Sequence, residues 1–155
     1  MIVPLLTLPD SAPEVARLRA ANIVVRRAQT LDLDAVYGFV DRTWPESPDW
    51  GMGVRTAFVS SPVRVFIATE NGAVLGFSAY DIDYRGLFGP TGVVPSHRGL
   101  GIGAALLLRC LAAMREAGYL YAIIGAVGPA AFYTKVCGAM SLPRDWPNYT
   151  DPDRS

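Results

Sequence analysis

Lysine and histidine are nearly absent from this sequence: Lys135 and His97 are the only residues of their kinds. One histidine, and two cysteines (Cys110 and Cys137) too far apart for a C-x-x-C pair, leave no metal-ligand spacing. Both thiols fall in or at the end of apolar helical runs and read as reduced core residues. Neither charge is in excess, with 14 basic and 14 acidic residues, which argues against a nucleic-acid partner. No apolar run reaches the roughly 20 residues of a membrane span. The opening Met1-Ile-Val-Pro-Leu-Leu-Thr-Leu8 has neither the basic flank nor the cleavage site of a signal peptide. These absences predict a cytoplasmic protein with no metal, membrane or nucleic-acid ligand. What is present is a 51% hydrophobic chain of 155 residues, enough for one domain over 1–155 with a real core.

Element signals alternate along the chain. Ser11, Pro13 and Glu14 open a helix to about Ala21, and β-branched residues mark a strand at Ile23–Arg27. Leu33, Val36, Tyr37 and Val40 form a helical stripe that Pro45 ends near Thr43. Trp44 to Gly53 reads as a loop by its prolines and glycines, followed by a short helix over 54–59. Asn71-Gly72 between two apolar runs predicts a hairpin of strands 63–70 and 73–80. A strand over 87–94 carries Pro90, which points to a bulge there. A nearly all-apolar helix spans 101–117, with Arg109, Arg115 and Glu116 on one narrow face. A strand over 119–124 and a helix from Pro129 to Cys137, closed by Gly138, complete the pattern.

The segment Gly92-Val-Val-Pro-Ser-His-Arg-Gly-Leu-Gly-Ile-Gly-Ala104 organises the rest. A strand, a turn with glycines at 99, 101 and 103, and a helix start put free N–H groups and a positive dipole end at one point, which suits phosphate. A dinucleotide fold would need a carboxylate about 20 residues on, and the next strand has none. A Walker loop would need a lysine, and none is there.

The pattern that fits is Arg98-x-x-Gly101-x-Gly103, set between Val93-Val94-Pro95 and Leu106-Leu107. It resembles the R/Q-x-x-G-x-G/A signature of the GCN5-related N-acetyltransferases (GNAT). A second segment, Gly128-Pro-Ala-Ala-Phe132-Tyr133-Thr-Lys135-Val-Cys-Gly138-Ala139, resembles that family's A-x-x-F-Y-x-K-x-G-F. The resemblance implies an α/β (α+β) fold: one mixed, mostly antiparallel sheet flanked by helices, splayed between the glycine-loop strand and the next. It implies acetyl-coenzyme A as cosubstrate, held by Val93, Val94, Arg98, Gly99, Leu100, Gly101, Ile102, Gly103 and Ala104. Phe132 and Tyr133 would lie along the pantetheine arm, with Arg98 either reaching the phosphates or buttressing the loop.

The implied reaction is acetyl transfer to the primary amine of a small molecule. In it the Tyr133 hydroxyl would protonate the departing thiolate, and the Val93 N–H would face the developing oxyanion. Packing alone would also account for Tyr133. The glycine-loop strand carries no carboxylate, so Asp81, Asp83 or a water chain is left to take the amine's proton. In the family the loop between the first two helices walls the acceptor; here it offers Trp44, Glu46, Asp49 and Trp50, which suit an amino sugar or polyamine. A coenzyme A-binding sensor without catalysis is the alternative. Residues 1–21 would be a helical extension, and 139–155 a short extended tail, too short for the family's closing hairpin. That tail would fold over the cleft or pair with a second copy in a homodimer.

Overall fold

Asn71 and Gly72 close the central hairpin with φ of 48° and 83°, the left-handed pair of a type I′ turn. The structure, a computed structural model, describes residues 1–143. The hairpin strands are β3 (Val65–Glu70) and β4 (Ala73–Tyr80). Around them lie β1 (Ile2–Pro4), α1 (Ala12–Ala20), β2 (Ile23–Arg27), α2 (Leu33–Thr43) and α3 (Pro48–Phe58). After them come β5 (Leu87–Val93), α4 (Ile102–Glu116), β6 (Tyr121–Ile124) and α5 (Ala130–Cys137). The strands form one sheet in the order β1-β6-β5-β4-β3-β2. Every pairing is antiparallel except that of β5 with β6, so the predicted mixed, mostly antiparallel sheet is what forms.

Alternation along the strands splits the core between two faces. Phe66 and Ala68 share one buried cluster with Leu18 of α1, Leu106, Leu107 and Leu111 of α4, and Tyr133 and Cys137 of α5. Val65, Ile67, Phe77 and Ala79 point the other way, onto Val36 and Val40 of α2 and Val54 and Phe58 of α3. Helix α4 buries nine residues and leaves Arg109, Arg115 and Glu116 exposed, as its narrow polar face requires.

Four expectations need correction. The first 21 residues hold a strand as well as a helix: β1 pairs with β6, Ile2 opposite Ile123, and the Met1 ammonium donates to the Ile124 carbonyl at 2.8 Å. It takes the sheet edge beyond β6, and Met140 bridges to it from the other side. The predicted tail otherwise lies mostly outside the described residues. Helix α1 is capped by Asp10, whose Oδ1 accepts the Ala12 N–H at 2.9 Å, and not by the Ser11 side chain. Helix α3 begins at Pro48, which reduces the loop to residues 44–47. Its glycines fit tight contacts: a Cβ on Gly51 would stand 3.1 Å from the Tyr37 ring, and one on Gly53 3.0 Å from Ile82. In α5 the four-residue spacing of Phe132 and Val136 predicts that this pair packs on the sheet; the deepest face is instead Tyr133 and Cys137, one residue round, with Phe132 and Val136 half-buried beside it.

Candidate functional site at the parting of two strands

β5 and β6 are paired only at Leu87–Ile123 and Phe88–Ile124. Beyond that they diverge, and the cause lies in β5. Opposite β4, Ser78 faces Thr91 while Tyr80 faces Phe88, so three steps on β5 match two on β4. The extra residue falls at Gly89-Pro90, where Gly89 has φ of 120° and Pro90 has no N–H to donate. This is the predicted bulge, and it turns the rest of β5 away from β6. The splay is thus built into the strand.

Past the bulge, β5 keeps its bonds to β4 on one side. Val94 donates to the Leu75 carbonyl at 2.8 Å, so by antiparallel alternation the backbone groups of Thr91 and Val93 face the gap. The Val93 carbonyl there accepts from Arg98 Nε at 3.2 Å. Through that nitrogen Arg98 is tied to the strand end. The Val93 N–H is directed into the opening.

The glycine turn delivers the other donors. Gly99 and Gly101 adopt φ of 81° and 88°, conformations that side chains resist. Gly101 is the N-cap of α4, whose first bond runs from Ala105 N–H to the Gly101 carbonyl at 3.1 Å. The N–H groups of Ile102, Gly103 and Ala104 have no helical acceptor. A Cβ on Gly103 would meet Phe132 Cζ at 3.7 Å and Val93 Cγ2 at 3.8 Å, so the turn, the strand end and Phe132 stand side by side.

A cleft of about 570 Å³ lies where the two strands part, with Phe88, Gly89 and Pro90 of β5 and Ile124 of β6 in its lining. Tyr133 forms part of its wall beside Phe88, Ile124 and Pro129, while Glu46 lines it from the loop before α3 and Asp49 and Trp50 from the first turn of that helix. Thr91 lines it from β5, and Ile82 and Asp83 from the β4–β5 turn. Tyr133 is 7% exposed. Burial and the neighbouring Cys137 thiol raise its pKa, so its hydroxyl stays protonated at neutral pH.

Other expected residues sit apart. Asp81 (φ 56°) accepts the Gly86 N–H at 2.7 Å within the β4–β5 turn and the Tyr119 hydroxyl at 2.8 Å from the segment before β6, so both its oxygens are engaged. Burial and that bond to Asp81 raise the Tyr119 pKa. His97 lies 3.8 Å from Glu70 of β3 and does not line the cleft. Trp44 packs among Phe39, Trp50 and Phe77, with ring centroids 5.3–5.8 Å away. Its indole lies on Gly92, where a Cβ would stand 2.5 Å from the ring. Gly92→Ala should therefore overpack this contact, costing about 2 kcal/mol and lowering Tm by roughly 5 °C in a thermal melt. An unchanged Tm would mean that Trp44 moves freely off the strand.

One contact had no sequence signal. Arg17 of α1 donates from Nη2 to the Leu100 carbonyl at 2.6 Å and to Glu14 Oε2 at 2.7 Å, within the glycine turn itself.

This geometry coincides with what the comparisons find. The profile of the Acetyltransferase (GNAT) family matches residues 28–139, most of the chain. A GNAT family acetyltransferase from Brucella melitensis in complex with acetyl-CoA has a TM-score of 0.56 at 23% identity, over 72% of this chain and 80% of that one. A GNAT family N-acetyltransferase from Escherichia coli in complex with CoA has a TM-score of 0.58 at 21% identity, over 74% and 67%. The glucosamine N-acetyltransferase region of a fungal multi-domain β-N-acetylglucosaminidase has a TM-score of 0.69 at 17% identity; it covers 88% of this chain, which spans 19% of that protein. No curated protein matches the chain significantly. With a splayed β5–β6 pair, a glycine turn opening α4 and a family profile over both, the chain belongs to the GNAT acetyltransferase family.

Proposed function

We propose that this chain transfers the acetyl group of acetyl-coenzyme A to the primary amine of a small cationic acceptor, an amino sugar or polyamine. The observation that carries the reading is one cleft with Tyr133 in its wall and three carboxylates, Glu46, Asp49 and Asp83, around it. A primary amine near pKa 10 arrives as a cation at neutral pH, and such a wall draws it in. The glucosamine specificity in the name of the fungal neighbour and the Trp50 indole in the cleft are in keeping with a sugar face.

Acetyl-coenzyme A is a substrate here, and the turn amides suit its pyrophosphate. As the amine nitrogen bonds the acetyl carbon, the C–S bond breaks. The Val93 N–H stabilises the carbonyl oxygen meanwhile. The amine's proton leaves to Asp83, directly or through water, since Asp81 is tied to its turn. The thiolate takes the Tyr133 proton, which solvent restores.

Release of free thiol from acetyl-coenzyme A, assayed across amino sugars, polyamines, amino acids and peptides, tests this. Turnover with a cationic acceptor is expected. Absence of turnover alongside coenzyme A binding would favour a coenzyme A-binding sensor. Neutralising the wall with Glu46→Gln and Asp49→Asn together should raise the amine KM about five- to tenfold, two weak Coulomb attractions at partly exposed sites. The increase should shrink in high salt, and coenzyme A affinity should not change. An unaltered amine KM would return both carboxylates to the solvated surface.

A further inference from the structure

The N-terminal helix lies outside the residues that match the family, 28–139, yet it touches the glycine turn. Arg17 Nη2 donates to the Leu100 carbonyl across 83 residues of sequence, at 2.6 Å. The same guanidinium is held on its own helix by Glu14, at 2.7 and 3.2 Å. A Cβ on Gly101 would run into the Arg17 guanidinium, so the side chain lies directly against the Leu100–Gly101 peptide.

We propose that Arg17 is a positioning residue for coenzyme A, locking the Leu100–Gly101 peptide with its carbonyl turned out toward α1 and its N–H available to the phosphates. This rests on the coenzyme A reading above. A turn that holds an anion needs amide N–H groups facing in and carbonyls facing out. Rotation of one peptide plane reverses both, placing a partial negative charge where phosphate binds. Such a rotation changes chiefly the ψ of Leu100 and the φ of Gly101. Glycine populates either sign of φ with little difference in energy, so residue 101 offers little resistance to the flip. A charge-assisted hydrogen bond to the Leu100 oxygen supplies that resistance. Glu14 keeps the guanidinium aimed. As a surface ion pair it adds little stability of its own, and its contribution is orientation.

The test compares Arg17→Met, which keeps the stem and loses the donors, with Arg17→Lys, which keeps one charged donor. Coenzyme A affinity is read by calorimetry, the ligand-free Tm by melting, and KM for each substrate by thiol release. Arg17→Met should weaken coenzyme A about tenfold, the ordering that one such bond carries. KM for acetyl-coenzyme A should rise in parallel, with kcat at saturation and the amine KM unchanged. The ligand-free Tm should stay within about 2 °C, as for other exposed substitutions. Arg17→Lys should regain a good part of the affinity. Wild-type affinity in Arg17→Met would overturn the inference and leave the coenzyme A reading standing. A fall in affinity that follows a fall in Tm, with no recovery in Arg17→Lys, would also overturn it by making Arg17 a structural residue. Failure of the wild-type chain to bind coenzyme A would overturn the reading itself, and this inference with it.

Discussion

Replacing Tyr133 by phenylalanine lowers kcat and kcat/KM together by about 100-fold, the low end for a positioned general acid, and shifts coenzyme A affinity by less than about threefold. The ring stays where it is: it packs edge-on against Phe88 and Phe132, with centroids 6.4 and 5.1 Å away. Only one oxygen leaves, from a 7% exposed side chain that lines the cleft. Burial raises the phenol's pKa above its usual value, which keeps the proton in place but also makes the phenol a weaker acid than the departing thiol, whose own pKa is near 8.5. Transfer of that proton to the thiolate is therefore uphill until solvent protonates the products, and the gain comes mostly from a hydrogen bond that strengthens as charge builds on sulfur. That interaction exists in the transition state and hardly in the bound thioester, so the loss falls on kcat. Steady-state rates beside calorimetric affinities decide it. A near wild-type kcat would reduce Tyr133 to a packing residue, and an equal fall in affinity and rate would make it a binding residue.

The parts of the site that were legible in the sequence are those whose backbone demands special residues. Asn71-Gly72 has to be a turn. Gly99 and Gly101 need positive φ, and Pro90 cannot donate within a ladder; the bulge it marks is what parts β5 from β6. These are local constraints, written within a few positions of one another. The start of α3 was misread because Pro48 and the glycines at 51 and 53 resemble loop punctuation. Pro48 sits instead in the first turn of the helix, where its missing N–H costs nothing, and the glycines answer to Tyr37 and Ile82, which only tertiary packing brings near. That misreading put Asp49 and Trp50 on a loop. They stand on the first turn of a helix, a firmer platform for an acceptor wall.

Long-range contacts left no trace in the sequence. β1 is three residues long and earns its place by pairing with β6 at the far end of the chain, so no periodicity could announce it. Arg17 is one of 13 arginines on an otherwise ordinary exposed helix face. Its meaning depends on the fold bringing Leu100 to it. Trp44 and Trp50 are neighbours in the same short stretch, yet Trp44 packs on Gly92 while Trp50 reaches the cleft. Composition of the stretch could nominate both and could not separate them.

Gly103→Glu should abolish the gain in Tm that coenzyme A gives the wild-type chain, without destabilising the ligand-free protein. Gly103 is the better test position in the turn. At Gly101 a side chain would meet both a positive φ and the Arg17 guanidinium, so a loss there would mix strain with charge. Gly103 stands in the first turn of α4, and its added Cβ meets only Phe132 and Val93 at ordinary distances of 3.7 and 3.8 Å. A carboxylate at a helix N-terminus is favourable to the free protein, and leaving glycine raises helix propensity, so the ligand-free Tm should hold or rise. The same carboxylate would stand at the turn amides, where the pyrophosphate is proposed to lie. Two like charges about 4 Å apart near a protein surface repel by about 4 kcal/mol. Allowing for solvent screening leaves about 3 kcal/mol, or roughly 100-fold in affinity. A ligand that binds only the native state raises Tm through RT ln(1 + [L]/Kd), so at a fixed concentration the gain collapses. Gly103→Ala is the control: with no charge it should keep coenzyme A affinity and match or exceed the wild-type Tm. A full coenzyme A-induced Tm gain in Gly103→Glu would move the phosphates away from this turn.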